Sequence, residues 1–134
     1  MAKTILLVDD DRDLVESLAQ VLKTRGYEVA AASSAAEGLR ALPRVRPDLI
    51  IMDVMMETDT AGFEAVDRIR SPRPGSRFAE FRSLPIIILT AIGQVTNSRF
   101  SLDPGDNFLP GVGEFLTKPV DIEALLSAAA RLLQ

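Results

Sequence analysis

The feature that most constrains the fold is a set of short apolar runs that each end in a polar residue. The run at residues 49–52 follows Pro47-Asp48 and ends at Asp53. A continuous apolar run of this length is typical of a strand covered on both faces, as strands are in parallel sheets. Ligands bind beyond the carboxyl ends of such strands. Asp53 is therefore a candidate functional carboxylate, although a lone Asp here is also an ordinary cap for the next helix.

Four further segments have strand character, and helical patterns lie between most of them. The additional strands are predicted at residues 5–8, 28–32, 85–89 and 114–117. Apolar spacing and capping residues predict helices from residue 11 or 12 to 25, from Ser34 to about Leu42, from 61 to 70, and from Asp121 onward. Residues 71–83 contain two Pro and three Arg and are expected to be an extended, solvated connection.

This order of elements predicts an α/β fold with three layers, in which helices cover both faces of a parallel sheet. The 134 residues and 47% hydrophobic composition suit one core, so we expect residues 1–134 to form a single domain without an output domain. Apolar runs are too short for a signal peptide or a membrane span, which favours a cytoplasmic protein.

Composition limits the chemistry that the chain can perform. The sequence has no Cys and no His, which excludes disulfides, thiolate chemistry, the usual zinc sites and histidine acid–base catalysis. A net charge of −4 argues against non-specific binding to nucleic acid or to a membrane. Any chemistry must come from carboxylates, hydroxyls, Lys, Arg or a bound ion.

Potentially reactive groups stand at the ends of four predicted strands: Asp9-Asp10, Asp53, Thr90 and Lys118. In a parallel sheet these ends share one edge, and in the strand order 2-1-3-4-5 the three carboxylates converge. Two carboxylates about 5 Å apart repel by roughly 3 kcal/mol at an effective dielectric near 20, so three need a cation or protons. An all-oxygen cluster suits Mg²⁺, and a phosphoryl group is the partner that such a site, one Lys and one hydroxyl would bind.

Four motifs at these strand ends resemble those of response-regulator receiver domains: ILLVDD at 5–10, LIIMDVMM at 49–56, ILTA at 88–91 and FLTKP at 115–119. Each motif is weak alone, but four in this order cover nearly the whole chain and are specific. The resemblance implies a flavodoxin-like, doubly wound sheet in the order 2-1-3-4-5. It also implies a phosphorylation switch of two-component signalling, which catalyses only its own phosphorylation and dephosphorylation.

The resemblance assigns a role to each metal-site residue. Asp53 would be the phosphoacceptor and would bind Mg²⁺ together with Asp10 and the backbone carbonyl of Met55. Asp9 would assist in holding the ion. A sensor histidine kinase or a phosphotransfer protein would supply the phosphoryl group to Asp53. The phosphorylated chain would then signal to a downstream protein that the sequence does not identify, and a homodimer is possible.

Three further residues match family positions. Lys118 would pair with the phosphate, Thr90 would donate its hydroxyl to a phosphoryl oxygen, and Phe115 would be the switch aromatic. The Lys118-Pro119 bond matches the family's cis peptide. The ordinary alternatives are that Thr90 merely ends a strand, Phe115 fills core and Lys118 is solvated.

The sequence departs from the family pattern in two places. Glu57 stands where the family usually has Pro, and residues 58–60 lengthen the loop, so Glu57 and Asp59 either add negative potential near the metal or are simply solvated. Residues 91–113 are too rich in Gly and Pro for a continuous helix, which leaves the output surface undefined. Two rival functions therefore stay open: a receiver-shaped interaction module that does not cycle phosphate, and a Mg²⁺-dependent phosphate-ester hydrolase.

Overall fold

The structure is a computed structural model that describes residues 2–58, 60–91 and 113–134. The expectations for Asp59 and for residues 92–112 lie outside these described residues. In the described part of the chain, no helix has both the length and the apolar character needed to cross a membrane.

Within the described residues, five strands and four helices form the architecture that the sequence predicts. The strands are β1 (Thr4–Val8), β2 (Glu28–Ala32), β3 (Leu49–Asp53), β4 (Ile86–Ala91) and β5 (Glu114–Lys118). The helices are α1 (Arg12–Thr24), α2 (Ala35–Val45), α3 (Ala61–Arg70) and α4 (Ile122–Leu132). All strand pairs are parallel and the order is β2-β1-β3-β4-β5, which confirms the flavodoxin-like topology.

The central strands are buried on both faces, as their unbroken apolar runs predict. Successive side chains alternate between faces, so Ile50 packs in the core beneath α2 and α3, whereas Ile51 packs in the core beneath α1 and α4. Every residue of β3 is buried. Full burial of an Ile or Leu side chain stabilises the fold by about 1.5–3 kcal/mol, so the two cores together fix the position of the strand ends.

Helix α2 is longer than the sequence predicts. The predicted end near Leu42 is wrong, because α2 continues through Pro43 to Val45 and ends at Arg46 in the left-handed conformation, with φ of 51°. Proline cannot donate the backbone hydrogen bond to the carbonyl four residues earlier, and its ring crowds that carbonyl, but Pro43 lies in the last turn of α2, where only two more helical residues follow. The amide of Arg46 donates to the carbonyl of Leu42 at 2.9 Å and closes the last turn.

The connection after α3 is packed, so the expectation that residues 71–83 are solvated is wrong in part. Phe78 and Phe81 are only 8% and 6% exposed and join the core beneath α2 and α3, and a single 3₁₀ turn spans Ala79–Phe81. The guanidinium of Arg70 donates to the carbonyl of Arg82 at 2.8 Å. Arginine here replaces regular backbone hydrogen bonding, which composition alone does not reveal.

Candidate functional site

Asp9 and Asp53, the two buried carboxylates in the part of the chain that the structure describes, lie side by side at the ends of neighbouring strands. In the β1–β3 pairing Val8 lies opposite Met52, and the next residue on each strand is an aspartate. Asp9 is 5% exposed and Asp53 is 4% exposed, whereas Asp10 is exposed to solvent. The adjacency of β1 and β3 therefore produces the predicted convergence.

One carboxylate oxygen from each of Asp9, Asp10 and Asp53 lies within 4.8 Å of the others. Oxygens bound to Mg²⁺ at about 2.0–2.1 Å can lie at most about 4.2 Å apart, so the cluster needs only a small contraction to fit this ion. With no nitrogen or sulfur ligand in the group, Mg²⁺ with retained waters matches the donor set. The Met55 carbonyl stays a predicted ligand, and the Met55 side chain is 42% exposed.

Lys118 contacts both buried carboxylates from the end of β5. Its ammonium nitrogen lies 3.1 Å from Asp9 Oδ2 and 3.2 Å from Asp53 Oδ1. Burial by itself would lower the pKa of Lys118, but the hydrogen bond to Asp9 and the charges of Asp53 and Asp9 outweigh burial and raise the pKa. Lys118 is therefore a fixed cation in the site, and its interpretation as a solvated lysine is wrong.

The electrostatics of the site act most strongly on Asp53. Burial, followed by the neighbouring charge of Asp9, raises the pKa of Asp53 to about 6. The charge and hydrogen bond of Lys118 and the amide of Val54 oppose this rise without cancelling it. If the three aspartates are ionised, Lys118 neutralises only one of their charges, and a divalent cation would neutralise the rest.

The remaining predicted residues lie on the neighbouring strands. Thr90 is 2% exposed and lies one residue beyond Leu89, the β4 residue paired with Asp53. Phe115 is half-buried and packs against the core beneath α2 and α3. The Lys118-Pro119 peptide is cis, as the resemblance implies. The roles of Thr90 and Phe115 in switching stay predictions.

Gly62 is a structural residue of the site that the sequence reading missed. A Cβ at this position would lie 2.2 Å from the carbonyl oxygen of Asp53 and 2.9 Å from the Cα of Val54. The Gly62 amide also donates to the Val54 carbonyl at 2.8 Å. Glycine is therefore required for α3 to approach the end of β3, and an isolated glycine in the first turn of a predicted helix was the available clue.

Glu57 is the second residue whose place the sequence did not reveal. Its Oε1 accepts the amide of Ala35 at 2.8 Å and its Oε2 accepts the amide of Ala36 at 2.9 Å. Burial by itself would raise the pKa of Glu57, but these hydrogen bonds outweigh it and hold the pKa below its usual value. The expectation of a simply solvated acid is wrong in part: Glu57 is exposed, but it also caps α2 from the loop that follows β3.

Comparison with known proteins agrees with this fold and site. The chain belongs to the response regulator receiver domain family, whose family model matches residues 5–130. It is 40% identical to Transcriptional regulatory protein GlrR of Escherichia coli K12 over 124 aligned residues, which make up 92% of this chain and 24% of that protein. It is 37% identical to Response regulator MprA of Mycobacterium leprae over 131 aligned residues, which make up 97% of this chain and 50% of that protein. The chain thus spans about a quarter to a half of these relatives.

Solved structures of similar proteins support the same assignment. A putative response regulator from Chloroflexus aurantiacus superposes with a TM-score of 0.80 at 30% identity, covering 99% of this chain and 98% of that chain. The chemotaxis response regulator CheY4 of Vibrio cholerae superposes with a TM-score of 0.77 at 29% identity, covering 99% of this chain and 100% of that chain. The chain is accordingly a receiver domain of two-component signalling, and receiver domains act as signalling switches.

Proposed function

We propose that Asp53 is the residue that takes the phosphoryl group, in a Mg²⁺-dependent transfer from a partner histidine kinase or phosphotransfer protein in the cytoplasm. The observation that carries this proposal is the position of the Lys118 ammonium, within 3.2 Å of both Asp53 and Asp9 beside the exposed Asp10. A cation fixed between two buried carboxylates is a ready partner for a doubly charged phosphoryl group.

Asp10, Asp53 and the Met55 carbonyl would hold Mg²⁺, with Asp9 assisting. The bound ion supplies positive charge that offsets the charge on the phosphoryl oxygens. In the transfer, an Asp53 oxygen forms a bond to phosphorus while the bond between phosphorus and the donor nitrogen breaks, and the electron pair stays on the donor. Because the pKa of Asp53 is raised only to about 6, the carboxylate is still mostly ionised at pH 7 and can act as the nucleophile.

Lys118 and Thr90 complete the site in this proposal. Lys118 would contact a phosphoryl oxygen, and the hydroxyl of Thr90 would donate to another. Movement of Thr90 toward the phosphoryl group would vacate space for the half-buried Phe115 and so alter the surface around β5. A downstream protein would recognise that altered surface.

Intact mass spectrometry after incubation with acetyl phosphate and Mg²⁺ tests the assignment. We expect one phosphoryl group on the wild-type chain and on an Asp67→Asn control, and none on Asp53→Asn. Asp67 is an exposed acid on α3. Unchanged labelling of Asp53→Asn would place the acceptor on another residue. If neither acetyl phosphate nor a phosphorylated donor domain labels the wild type, the rival function, an interaction module that does not cycle phosphate, would be favoured.

The switching step has its own measurement. Amide hydrogen exchange with and without beryllofluoride, a phosphoryl mimic, should change across β5 around Phe115 while the amides of β2 stay constant. Equal protection around Phe115 in both conditions would remove this residue from the switch without affecting the assignment of Asp53.

A further inference from the structure

Glu57 connects the loop that follows Asp53 to a helix that lies 21 or 22 residues earlier in the chain. Both of its carboxylate oxygens are used, one by the amide of Ala35 and the other by the amide of Ala36, at 2.8 and 2.9 Å. A carboxylate that receives two backbone amides at these lengths makes two charge-assisted hydrogen bonds, the stronger kind. It also lies at the positive end of the α2 dipole. The loop is therefore held to α2 at a defined point.

The first turn of α2 is completed by this contact. A helix leaves its first four amides without partners inside the helix. The carbonyl of the N-cap residue Ser34 accepts the first regular helical hydrogen bond, from the amide of Gly38 at 2.9 Å, and the Ser34 hydroxyl accepts the amide of Glu37 at 3.0 Å. The amides of Ala35 and Ala36 have no partner within the helix, and Glu57 satisfies both.

The same region of α2 is tied to the other half of the acidic site. The amide of Asp9 donates to the carbonyl of Ala32 at 3.1 Å, which extends the β1–β2 pairing to the start of the α2 segment. Asp9 and the loop after Asp53 are thus both anchored to residues 32–36. Within the loop, Met55 lies midway between Asp53 and Glu57, so its backbone is fixed at both ends.

We propose that Glu57 is a positioning residue that holds the loop after Asp53, and with it the Met55 carbonyl, in the arrangement that binds Mg²⁺. The proposal rests on the proposed function in that it takes Mg²⁺ as the ion of this site. Glu57 takes the place of the family's Pro, which restricts the loop through its ring, and achieves the restriction through hydrogen bonds to α2. Groups that orient metal ligands in this way typically change metal affinity by about 10–100-fold.

Two variants separate the role of the hydrogen bonds from that of charge. Glu57→Ala removes both acceptors, and because Glu57 is exposed this variant leaves no buried cavity. Glu57→Gln keeps the shape but offers one acceptor oxygen to two amides. Asp67→Asn is the matched control, since it removes one negative charge from an exposed position.

Calorimetric titration with Mg²⁺ alone, at a temperature where every variant is fully folded, measures the affinity directly. We expect the Mg²⁺ dissociation constant to rise about tenfold in Glu57→Ala, by a smaller factor in Glu57→Gln, and not at all in the control. Amide exchange followed by NMR should be faster at Ala35 and Ala36 in the two Glu57 variants. Dissociation constants within twofold of the wild type in both variants, or an equal rise in the control, would overturn the proposal.

A second readout separates positioning from a general loss of structure. The rate of labelling by acetyl phosphate, measured against Mg²⁺ concentration, should reach the same plateau in Glu57→Ala as in the wild type, with the half-maximal concentration raised about tenfold. A lowered plateau with an unchanged half-maximal concentration would refute positioning. If the wild type binds Mg²⁺ but is not labelled, the phosphoacceptor proposal fails, and the calorimetry still decides the role of Glu57. If the wild type binds no Mg²⁺, the proposed role of Glu57 is refuted.

Discussion

Asp53→Asn should stabilise the Mg²⁺-free protein at neutral pH, although it removes the proposed phosphoacceptor. Asp53 is 4% exposed and shares its surroundings with Asp9, so its ionised form is unfavourable in the folded chain. Asparagine has nearly the shape of a protonated aspartate and carries no charge. Lys118 keeps its contact with Asp9 at 3.1 Å in the variant, so the ammonium is not left without a partner.

The size of the effect follows from the pKa of Asp53. Burial and the charge of Asp9 raise this pKa from 3.8 to about 6 in the folded chain. The folded state therefore holds the proton more tightly than the unfolded state, and wild-type stability is lost as pH rises from about 4 through about 6. A rise of this pKa from 3.8 to about 6 corresponds to at most about 3 kcal/mol of folding free energy, and water and salt at the open side of the site reduce it. We therefore expect the free energy of unfolding of Asp53→Asn at pH 7 to exceed that of the wild type by roughly 1 to 3 kcal/mol.

Urea denaturation followed by far-UV circular dichroism, in EDTA between pH 4 and pH 8, measures this difference. The free energy of unfolding of Asp53→Asn should match that of the wild type near pH 4 and exceed it above pH 7. Asp67→Asn, which changes an exposed acid, should follow the wild type at every pH. An Asp53→Asn difference that does not vary with pH, or a loss of stability at pH 7.5, would refute the reasoning. Adding Mg²⁺ to 100 times its dissociation constant should stabilise the wild type by about 2.7 kcal/mol. The difference in free energy of unfolding between Asp53→Asn and the wild type should then become smaller.

Two further predictions test the geometry of the site. Gly62→Ala should lower the free energy of unfolding by about 2 kcal/mol or more, because its Cβ would meet the backbone carbonyl of Asp53. Urea denaturation should show a smaller loss for Gly38→Ala, whose Cβ would meet side-chain atoms of Val8, at 2.9 Å or more, as its three nearest contacts outside α2. Lys118→Met should tighten Mg²⁺ binding about tenfold in calorimetry, because it removes a cation in contact with two carboxylates, and it should slow phosphoryl uptake. Equal losses of unfolding free energy in the two glycine variants would contradict the first expectation, and weaker Mg²⁺ binding by Lys118→Met would contradict the second.

Much of the fold could be predicted because the central strands are buried on both faces. Residues 49–52 are continuously apolar for that reason, and the same pattern locates the strands that carry Asp9 and Thr90. The strand order came from the resemblance, since periodicity does not state which strands are neighbours. The errors fall where tertiary contacts override local preference, at Pro43 inside α2 and at Phe78 beneath it.

The acidic site was predictable for a similar reason, but the roles of the residues that position it, Glu57 and Gly62, were not. Strand ends on one edge of a parallel sheet bring Asp9 and Asp53 together whatever the loops do. The function of Glu57 depends on the position of the α2 amides, more than 20 residues away, and that of Gly62 depends on how closely α3 crosses the end of β3. Neither distance is encoded in the local pattern of residues.

The two contacts of Lys118 link the metal site to the step that would follow phosphorylation. Its ammonium contacts oxygens of Asp9 and Asp53, the same carboxylates that would hold Mg²⁺. A phosphoryl group on Asp53 would remove the carboxylate charge and add about two negative charges farther from the sheet. Lys118 would then gain a stronger partner by leaving Asp53 for a phosphoryl oxygen while keeping Asp9. Because Lys118 ends β5, three residues after Phe115, we expect this shift to act directly on the strand that carries the proposed switch aromatic.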